Sequence, residues 1–463
     1  MSNTKSYFFC GIGGSGMLPL ATILAEQGAT VAGSDRALDQ GRLGAKFEYL
    51  QARGIKLFAQ DGSGLTHGGQ ILVASAAIED SVPDVAKAHS LGCARMTRAE
   101  LLAELFNAAP RSVAIGGTSG KSTVTGMIGW IASEVFLDPT IMNGAVMRNF
   151  ANDDAPFASS RVGKGHLFVS EVDESDGSIA LFRPEIAVLN NITLDHKSLE
   201  ELRQLFGDFA GQAKCTIWNA DDPECDALMA GKSGAISFGF ASSADYQAVD
   251  LVEAPFSIGF NVIHNGNVYP VALPVPGRHN AANALAALAA CAALGIDLER
   301  STKAIGQYKG LARRFEIIGS EDDVTIIDDF GHNPDKISAT LDTLKAFPGR
   351  VIAFFQPHGF GPLRVMGSEL ADVFAAKLDS RDRLFLCDPV YFGGTVDKSI
   401  GADSVVVRVN KADTVRAEHI ALRDDCGQAI LAIAKPGDRI VIMGARDDTL
   451  SVFALEILHK LQK

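Results

Sequence analysis

The chain has 463 residues, of which 47% are hydrophobic and 21% charged, and its formal net charge is −13. That length exceeds one ordinary core, so two or three soluble domains are expected, and an acidic chain is a poor partner for nucleic-acid phosphates. No apolar run reaches the length of a membrane span, and Met1 to Lys5 lead into a strand rather than an export signal. Seven cysteines, at positions 10, 93, 215, 225, 291, 387 and 426, form no C-x-x-C pair, which speaks against a zinc site or disulfide framework and for a reducing cytoplasm.

In chain order, Tyr7 to Cys10 reads as a strand, followed by the loop Gly11-Ile12-Gly13-Gly14-Ser15-Gly16, a helix from Met17 to Gln27, and a strand from Ala29 to Ala32 ending at Gly33-Ser34-Asp35. Strand, G-x-G-x-x-G and helix is the layout in which backbone amides and a helix dipole receive a diphosphate. NAD(P) and a UDP-sugar both offer that group, so a dehydrogenase built on this loop is one reading, and a bare tight turn the bland one. Gln70 to Ser75 is a further strand and Arg98 to Asn107 a helix.

A second zone opens with the strand Arg111 to Ile115, then Gly116-Gly117-Thr118-Ser119-Gly120-Lys121-Ser122-Thr123 and a helix from about Ser122 to Val135. Here Thr118 to Thr123 are expected to wrap a nucleotide's phosphates, with Lys121 on the outer oxygens and Ser122 on Mg²⁺. Position 115 is Ile, so the loop is shorter than G-x-x-x-x-G-K-[ST]; the bland alternative is a glycine turn that carries a lysine. Glu171 to Asp176 follow a strand and suit Mg²⁺, although Asp173, Glu174 and Asp176 are also what an acidic helix start would show. Asn190 to His196 close the next strand, residues 235 to 275 suggest a small antiparallel insert, and the alanine-rich Asn280 to Leu294 a helix.

A third zone starts near Gly310 to Phe315, with strands at Val324 to Ile327, Val351 to Phe355, Arg383 to Leu386 and Arg439 to Met443 alternating with helices. The expected architecture is three consecutive α/β domains: Rossmann-like over 1–108, a central P-loop ATP-binding domain over 109–312, and Rossmann-like over 313–463.

The ordered motifs resemble the Mur ligases, closest to the ligases that join L-alanine to UDP-N-acetylmuramate and to the related muropeptide-recycling ligases. The resemblance runs over nearly the whole chain. It rests on Gly11 to Gly16, Gly33 to Asp35, Val73 to Ile78, Arg98 to Glu104, Gly117 to Ser122, Glu171 to Asp176, Asn190 to His196, Pro276 to Asn283, Arg313 to Glu316, Asp328 to Pro334 and Phe355 to His358.

The family's chemistry implies that ATP phosphorylates a substrate carboxylate and that an amine attacks the resulting acyl phosphate. It implies Lys121, Glu171, His196 and Arg314 as catalytic residues, with Ser122, Glu171 and His196 on Mg²⁺. Asn280 and Asn283, with His279 beside them, would contact adenine, Asp329 the ribose, and Arg314 the γ-phosphate, with a hinge near Gly310 to Phe315 closing the domains. Gly13, Ser15, Gly16, Asp35, Ser75, His332 and His358 are implied on the substrate side. The expected partners are a UDP-sugar carboxylate and an amino-acid or peptide amine, with no nucleic acid or membrane span, in a monomer or weak dimer.

Some positions depart from the family. Ser119 and Ser122 replace His and Thr, and Phe330 and Asn333 replace Tyr and His. After His358 the alanine-adding ligases carry arginines suited to a carboxylate, whereas this chain reads Gly359-Phe360-Gly361-Pro362-Leu363-Arg364. Gly444 to Asp448 differ as well. An ATP-dependent amide ligase is therefore expected, with L-alanine or another amino acid as the amine; a recycling ligase taking a peptide, and a Mur-like binding protein without catalysis, are the alternatives.

Overall fold

The computed structural model describes residues 5–75, 78–194, 197–390, 397, 399–445 and 447–462. Its chain forms three sheets. The first is parallel throughout, in the order Lys56–Phe58, Thr30–Ser34, Ser6–Cys10, Gln70–Ala74, Ala94–Thr97. Its central strand buries Phe8, Phe9 and Cys10 completely, as a strand covered on both faces must.

The second sheet has ten strands, and the strands that surround the phosphate loop, Cys215–Asn219, Ile186–Leu189, Arg111–Gly116 and Leu167–Glu171, are parallel neighbours. The region expected to form an antiparallel insert instead extends this sheet at one edge. Ser257–His264 and Asn267–Leu273 pair antiparallel there, and alternate side chains of Ser257–His264 point inward. The alanine-rich helix Arg278–Ala293 is buried along nearly its whole length and packs on the helix Lys121–Glu134 that leaves the phosphate loop. Small side chains allow that close approach.

The first two sheets lie in one compact unit. The helix Arg98–Asn107, started by a capping box between Thr97 and Glu100, buries Leu101, Leu102, Ala103 and Phe106. Phe106 is fully buried and stands edge-on to Phe168 and Phe182, with ring centroids 5.6 and 5.3 Å away. Tyr49 meets Phe157 in the same way at 5.5 Å. The two regions expected to form separate domains thus share a core.

The second compact unit carries the six-stranded sheet, in the order Glu316–Glu321, Val324–Asp329, Arg439–Gly444, Val351–Gln356, Arg383–Leu386, Arg416–His419. Only the Glu316–Glu321 edge is antiparallel to its neighbour. The last strand, Arg439–Gly444, inserts between two earlier ones, and both it and Val351–Gln356 are buried at every position. Ile337, Leu341, Leu370 and Phe374 cover one face of the sheet; Ile430, Phe453 and Ile457 belong to the core on the other. All seven cysteines are free thiols. Among the described residues no helix is long and apolar enough to cross a membrane.

Candidate active site

The phosphate loop has a conformation that only glycine tolerates at two positions. Gly117 has φ +137 and Gly120 φ +79. A Cβ on Gly120 would come within 2.4 Å of Asn190 Nδ2 and 2.5 Å of Asn283 Oδ1. Two consecutive asparagines brace the loop from the neighbouring strand end. Asn191 Oδ1 accepts from the Ser119 amide at 2.8 Å and the Thr118 hydroxyl at 2.9 Å, and its Nδ2 donates to Ser119 Oγ at 2.9 Å. Asn190 Nδ2 donates to the Ser119 carbonyl and to Asn283 Oδ1, each at 3.0 Å.

Asn280 and Asn283, expected at the adenine, are 8% and 5% exposed, and Asn283 donates to Asn280 Oδ1 at 3.3 Å. One carboxamide oxygen of this pair therefore holds Asn190, which in turn braces the phosphate loop. Thr123 lies in the first turn of the helix Lys121–Glu134, and His279 in the first turn of Arg278–Ala293.

The two chemical residues of the loop each meet a carboxylate. Ser122 Oγ donates to Glu171 Oε2, and Lys121 Nζ donates to Glu174 Oε2, both at 2.6 Å. Lys121 also donates to the Gly117 carbonyl at 2.6 Å. Asn143 Nδ2 holds the Ser122 carbonyl at 2.9 Å. At the next residue, Gly144, a Cβ would lie 2.1 Å from Glu171 Oε1, so only glycine leaves that carboxylate its room. Burial pushes the Glu174 carboxyl up, outweighing the downward pull of Lys121. For Asp173, burial is outweighed by the Ser175 hydroxyl and amide with Lys121 and Arg98, and its carboxyl is held down.

These acids do not open an α-helix. They form a turn before the short 3₁₀ segment Ser178–Leu181, which frees Glu174 to reach the lysine. His196 lies outside the described residues. Among the described residues no three His, Cys, Asp or Glu side chains converge on one point. Ser122 and Glu171 nonetheless fit Mg²⁺, a hard cation that takes one or two protein oxygens and completes its shell with phosphates and water.

In the first glycine loop, the Gly13 amide donates to Asp35 Oδ2 at 2.8 Å, while Asp35 Oδ1 caps the following helix at the Ala37 amide, also at 2.8 Å. Asp35, expected on the substrate, thus also ties the loop to the next element. Ser15 and Ser75 are exposed. Across Gly16 lies the stem of Arg98, so close that a Cβ there would sit 2.7 Å from Arg98 Cδ. Arg98 then lines a cleft of about 130 Å³ together with Leu102, Lys121, Glu171, Asp173 and Phe182. The cleft therefore runs from the phosphate loop to Arg98, whose stem packs beside Gly16 of the first glycine loop.

Sequence reasoning assigned no role to Arg98, Asn190 or Asn191, although all three stand inside motifs it quoted, and it read Glu174 as a Mg²⁺-side acid or a helix start rather than as the partner of Lys121. Asn143 and Gly144 carry no motif at all.

In the C-terminal unit, the Asp329 carboxylate accepts from the Phe315 amide, the Gly331 amide and the Thr340 hydroxyl, at 2.8, 2.8 and 2.9 Å. Arg314 lies over the Phe330 ring at 4.5 Å. Burial pushes Asp328, beside Arg313 and Ser451, up to about 6. His332 Nδ1 is 2.9 Å from the Phe330 carbonyl, which can only accept, so Nδ1 carries the proton and neutral His332 presents Nε2 as an acceptor. His358 stands edge-on to it with centroids 5.1 Å apart. After His358, Gly359 at φ +143 begins the helix Phe360–Lys377, and Arg364 pairs with Asp397 at 2.8 Å.

Burial, then Lys336, His358 and Arg314, bring His332 down from 6.5 to about 3. Its folded pKa is depressed, so the unfolded chain takes up the proton first. The stabilisation is complete above about 6.5 and is lost as pH falls from there toward about 3. The His332 ring resonances are expected to stay unshifted in NMR spectra between about pH 8 and 5; a midpoint near 6.5 would contradict the burial.

A glycine-lysine-serine loop at the carboxyl end of a parallel sheet, with one carboxylate on the lysine and another on the serine, defines a P-loop nucleotide-binding α/β protein. Three family models match the chain: "Mur ligase family, catalytic domain" over residues 6–109, "Mur ligase middle domain" over 115–291, and "Mur ligase, glutamate ligase domain" over 313–446. UDP-N-acetylmuramate–L-alanine ligase of Streptomyces coelicolor is 33% identical over 456 residues, covering 95% of either chain. The enzyme of that name from a Synechococcus strain is 34% identical over 448 residues, covering 96% of this chain and 84% of its own. The crystal structure of the UDP-N-acetylmuramate-alanine ligase of Thermotoga maritima has the same fold, with a TM-score of 0.80 at 23% identity over 99% of both chains.

The chain belongs to the Mur ligase family, and is thereby an ATP-dependent ligase that forms amide bonds. The dehydrogenase reading of the first glycine loop falls with that assignment.

Proposed function

We propose that this protein joins the carboxylate of a UDP-N-acetylmuramoyl substrate to an amino acid, L-alanine in the first instance, with release of ADP and phosphate. The observation that carries the reading is the cleft in which Arg98, beside the first glycine loop, and Lys121 and Glu171, at the phosphate loop, line one space. The substrate names come from the relatives, which are about one-third identical over nearly their full length.

The loop amides of Thr118 to Thr123 would receive the phosphates, and Lys121 would neutralise charge on the outer phosphate as its bond to the leaving ADP breaks. Ser122 and Glu171, with His196 by resemblance, would hold Mg²⁺, which screens phosphate charge when bound. Arg98 suits the anionic substrate as a cation on the cleft wall. His279, Asn280 and Asn283 are proposed at the adenine. Arg314, Asp329, His332 and His358 are the proposed contributions of the C-terminal unit, where the Nε2 of neutral His332 can accept a hydrogen bond from an incoming amine. The free thiols suit a cytoplasmic enzyme.

A second reading, in which a peptide is the amine, draws on the run Gly359 to Leu363 after His358, which holds no cation, and on Arg364, which is engaged with Asp397. One acceptor screen tests both readings. With ATP, Mg²⁺ and UDP-N-acetylmuramate, L-alanine is expected to give the fastest phosphate release. Faster release with a short peptide that has a free amino terminus selects the second reading, and release that no amine accelerates rules out both.

A further inference from the structure

The four acids between Glu171 and Asp176 divide their work. Asp173 accepts from the amide and hydroxyl of Ser175, and Asp176 from the Ser178 amide, so these two hold their own turn, with Asp176 also 3.9 Å from the Arg98 guanidinium. Glu171 and Glu174 instead reach the phosphate loop, one taking the Ser122 hydroxyl and the other the Lys121 ammonium. The metal-side role of Glu171 leaves Glu174 unaccounted for.

A lysine ammonium has three N–H donors. Lys121 directs one to Glu174 and one to the Gly117 carbonyl, each at 2.6 Å. Both acceptors are held by the fold. Glu174 is 5% exposed. Gly117 sits so tightly against Asn190 and Asn191 that a Cβ would come within 3.1 Å of each. Two fixed acceptors leave one donor, in one direction, for a phosphate oxygen. A flexible four-carbon stem is thereby set before the nucleotide arrives, and because a third donor remains, phosphate binding does not require the carboxylate to release the ammonium.

We propose that Glu174 is a positioning residue for phosphoryl transfer: with the Gly117 carbonyl it fixes the Lys121 ammonium so that its remaining donor meets the outer phosphate. The inference rests on the ligase reading above and extends it by one residue. No bond forms or breaks at Glu174, which acts through the lysine.

The test compares wild type, Glu174→Ala and Glu174→Gln in phosphate release with ATP, Mg²⁺, UDP-N-acetylmuramate and L-alanine. Glu174→Ala is expected to lower kcat by about 10²-fold with the KM for ATP within about threefold of wild type. Glu174→Gln keeps an acceptor oxygen at the same reach and is expected to recover at least about tenfold of that loss. A kcat for Glu174→Ala within about twofold of wild type, or no recovery in Glu174→Gln, overturns the proposal. So does unchanged kcat with ATP bound about tenfold more tightly, which would mark Glu174 as a competitor of the nucleotide.

A second readout does not depend on turnover. Acetic anhydride labelling, mapped by peptide mass spectrometry, is expected to modify Lys121 about tenfold faster in Glu174→Ala than in wild type. Lys303, whose side chain is 72% exposed, serves as an unchanged internal reference. Equal Lys121 rates in the two proteins overturn the proposal. A wild-type protein that turns over with no amine removes the ligase reading instead, and the labelling then decides separately whether Glu174 holds the lysine.

Discussion

Replacing Lys121 by alanine is expected to lower amine-dependent phosphate release by at least about 10²–10³-fold, the cost of removing one preorganised charge donor from a transition state. The ammonium carries the only positive charge on the loop from Gly116 to Thr123. In phosphoryl transfer the protein contributes little covalent chemistry, so positioning and charge neutralisation make up most of the rate enhancement. Removing the ammonium also leaves the buried Glu174 without its ion-pair partner. A paired Lys121→Ala, Glu174→Gln protein separates the two effects: it should regain thermal stability and not activity. Lys121→Ala with a rate within about tenfold of wild type would end the assignment of this loop to ATP.

The second large effect is on stability. Phe106→Ala is expected to destabilise the first compact unit by about 3–5 kcal/mol, the range for deleting a buried phenylalanine ring. Phe106 is fully buried, and its edge-on contacts with Phe168 and Phe182 join the helix Arg98–Asn107 to the second sheet. That same helix carries Arg98 into the cleft. If the cleft takes the proposed UDP-substrate, the substitution should weaken its binding as well. Both tryptophans, Trp130 and Trp218, lie in the region of the second sheet, so their fluorescence in urea follows its unfolding. A loss below about 1 kcal/mol would show that the two sheets do not depend on this packing.

Much of this protein was legible before any coordinates. Strands such as Arg111–Gly116 and Val351–Gln356 are apolar on both faces, so their burial left a continuous hydrophobic run in the sequence. The alanine-rich helix was readable because glycines flank it and its interior has high helix propensity, and the helix after the phosphate loop because the glycine-lysine motif announces its start. Short strands such as Lys56–Phe58, Ala94–Thr97 and Arg416–His419 were not. They are partly exposed and carry charged residues, so no periodicity marks them.

The acids after Glu171 show the boundary most clearly. An acidic run looks alike whether it caps a helix or reaches across to a lysine, and only the turn decided that Asp173 and Asp176 serve the backbone while Glu174 serves Lys121.

By itself the sequence determined the order of elements and the two glycine loops, and it proposed which residues meet phosphate, because those depend on local spacing and on residue types with one chemical use. Only the tertiary structure decided which carboxylate meets which donor, that Asn190 and Asn191 brace the loop, that Asp35 and Asp329 are held by backbone amides, and that the first two sheets share a core through Phe106. Those outcomes depend on contacts between residues far apart in the chain, where packing and the pairing of buried polar groups select one partner among several that the sequence allows.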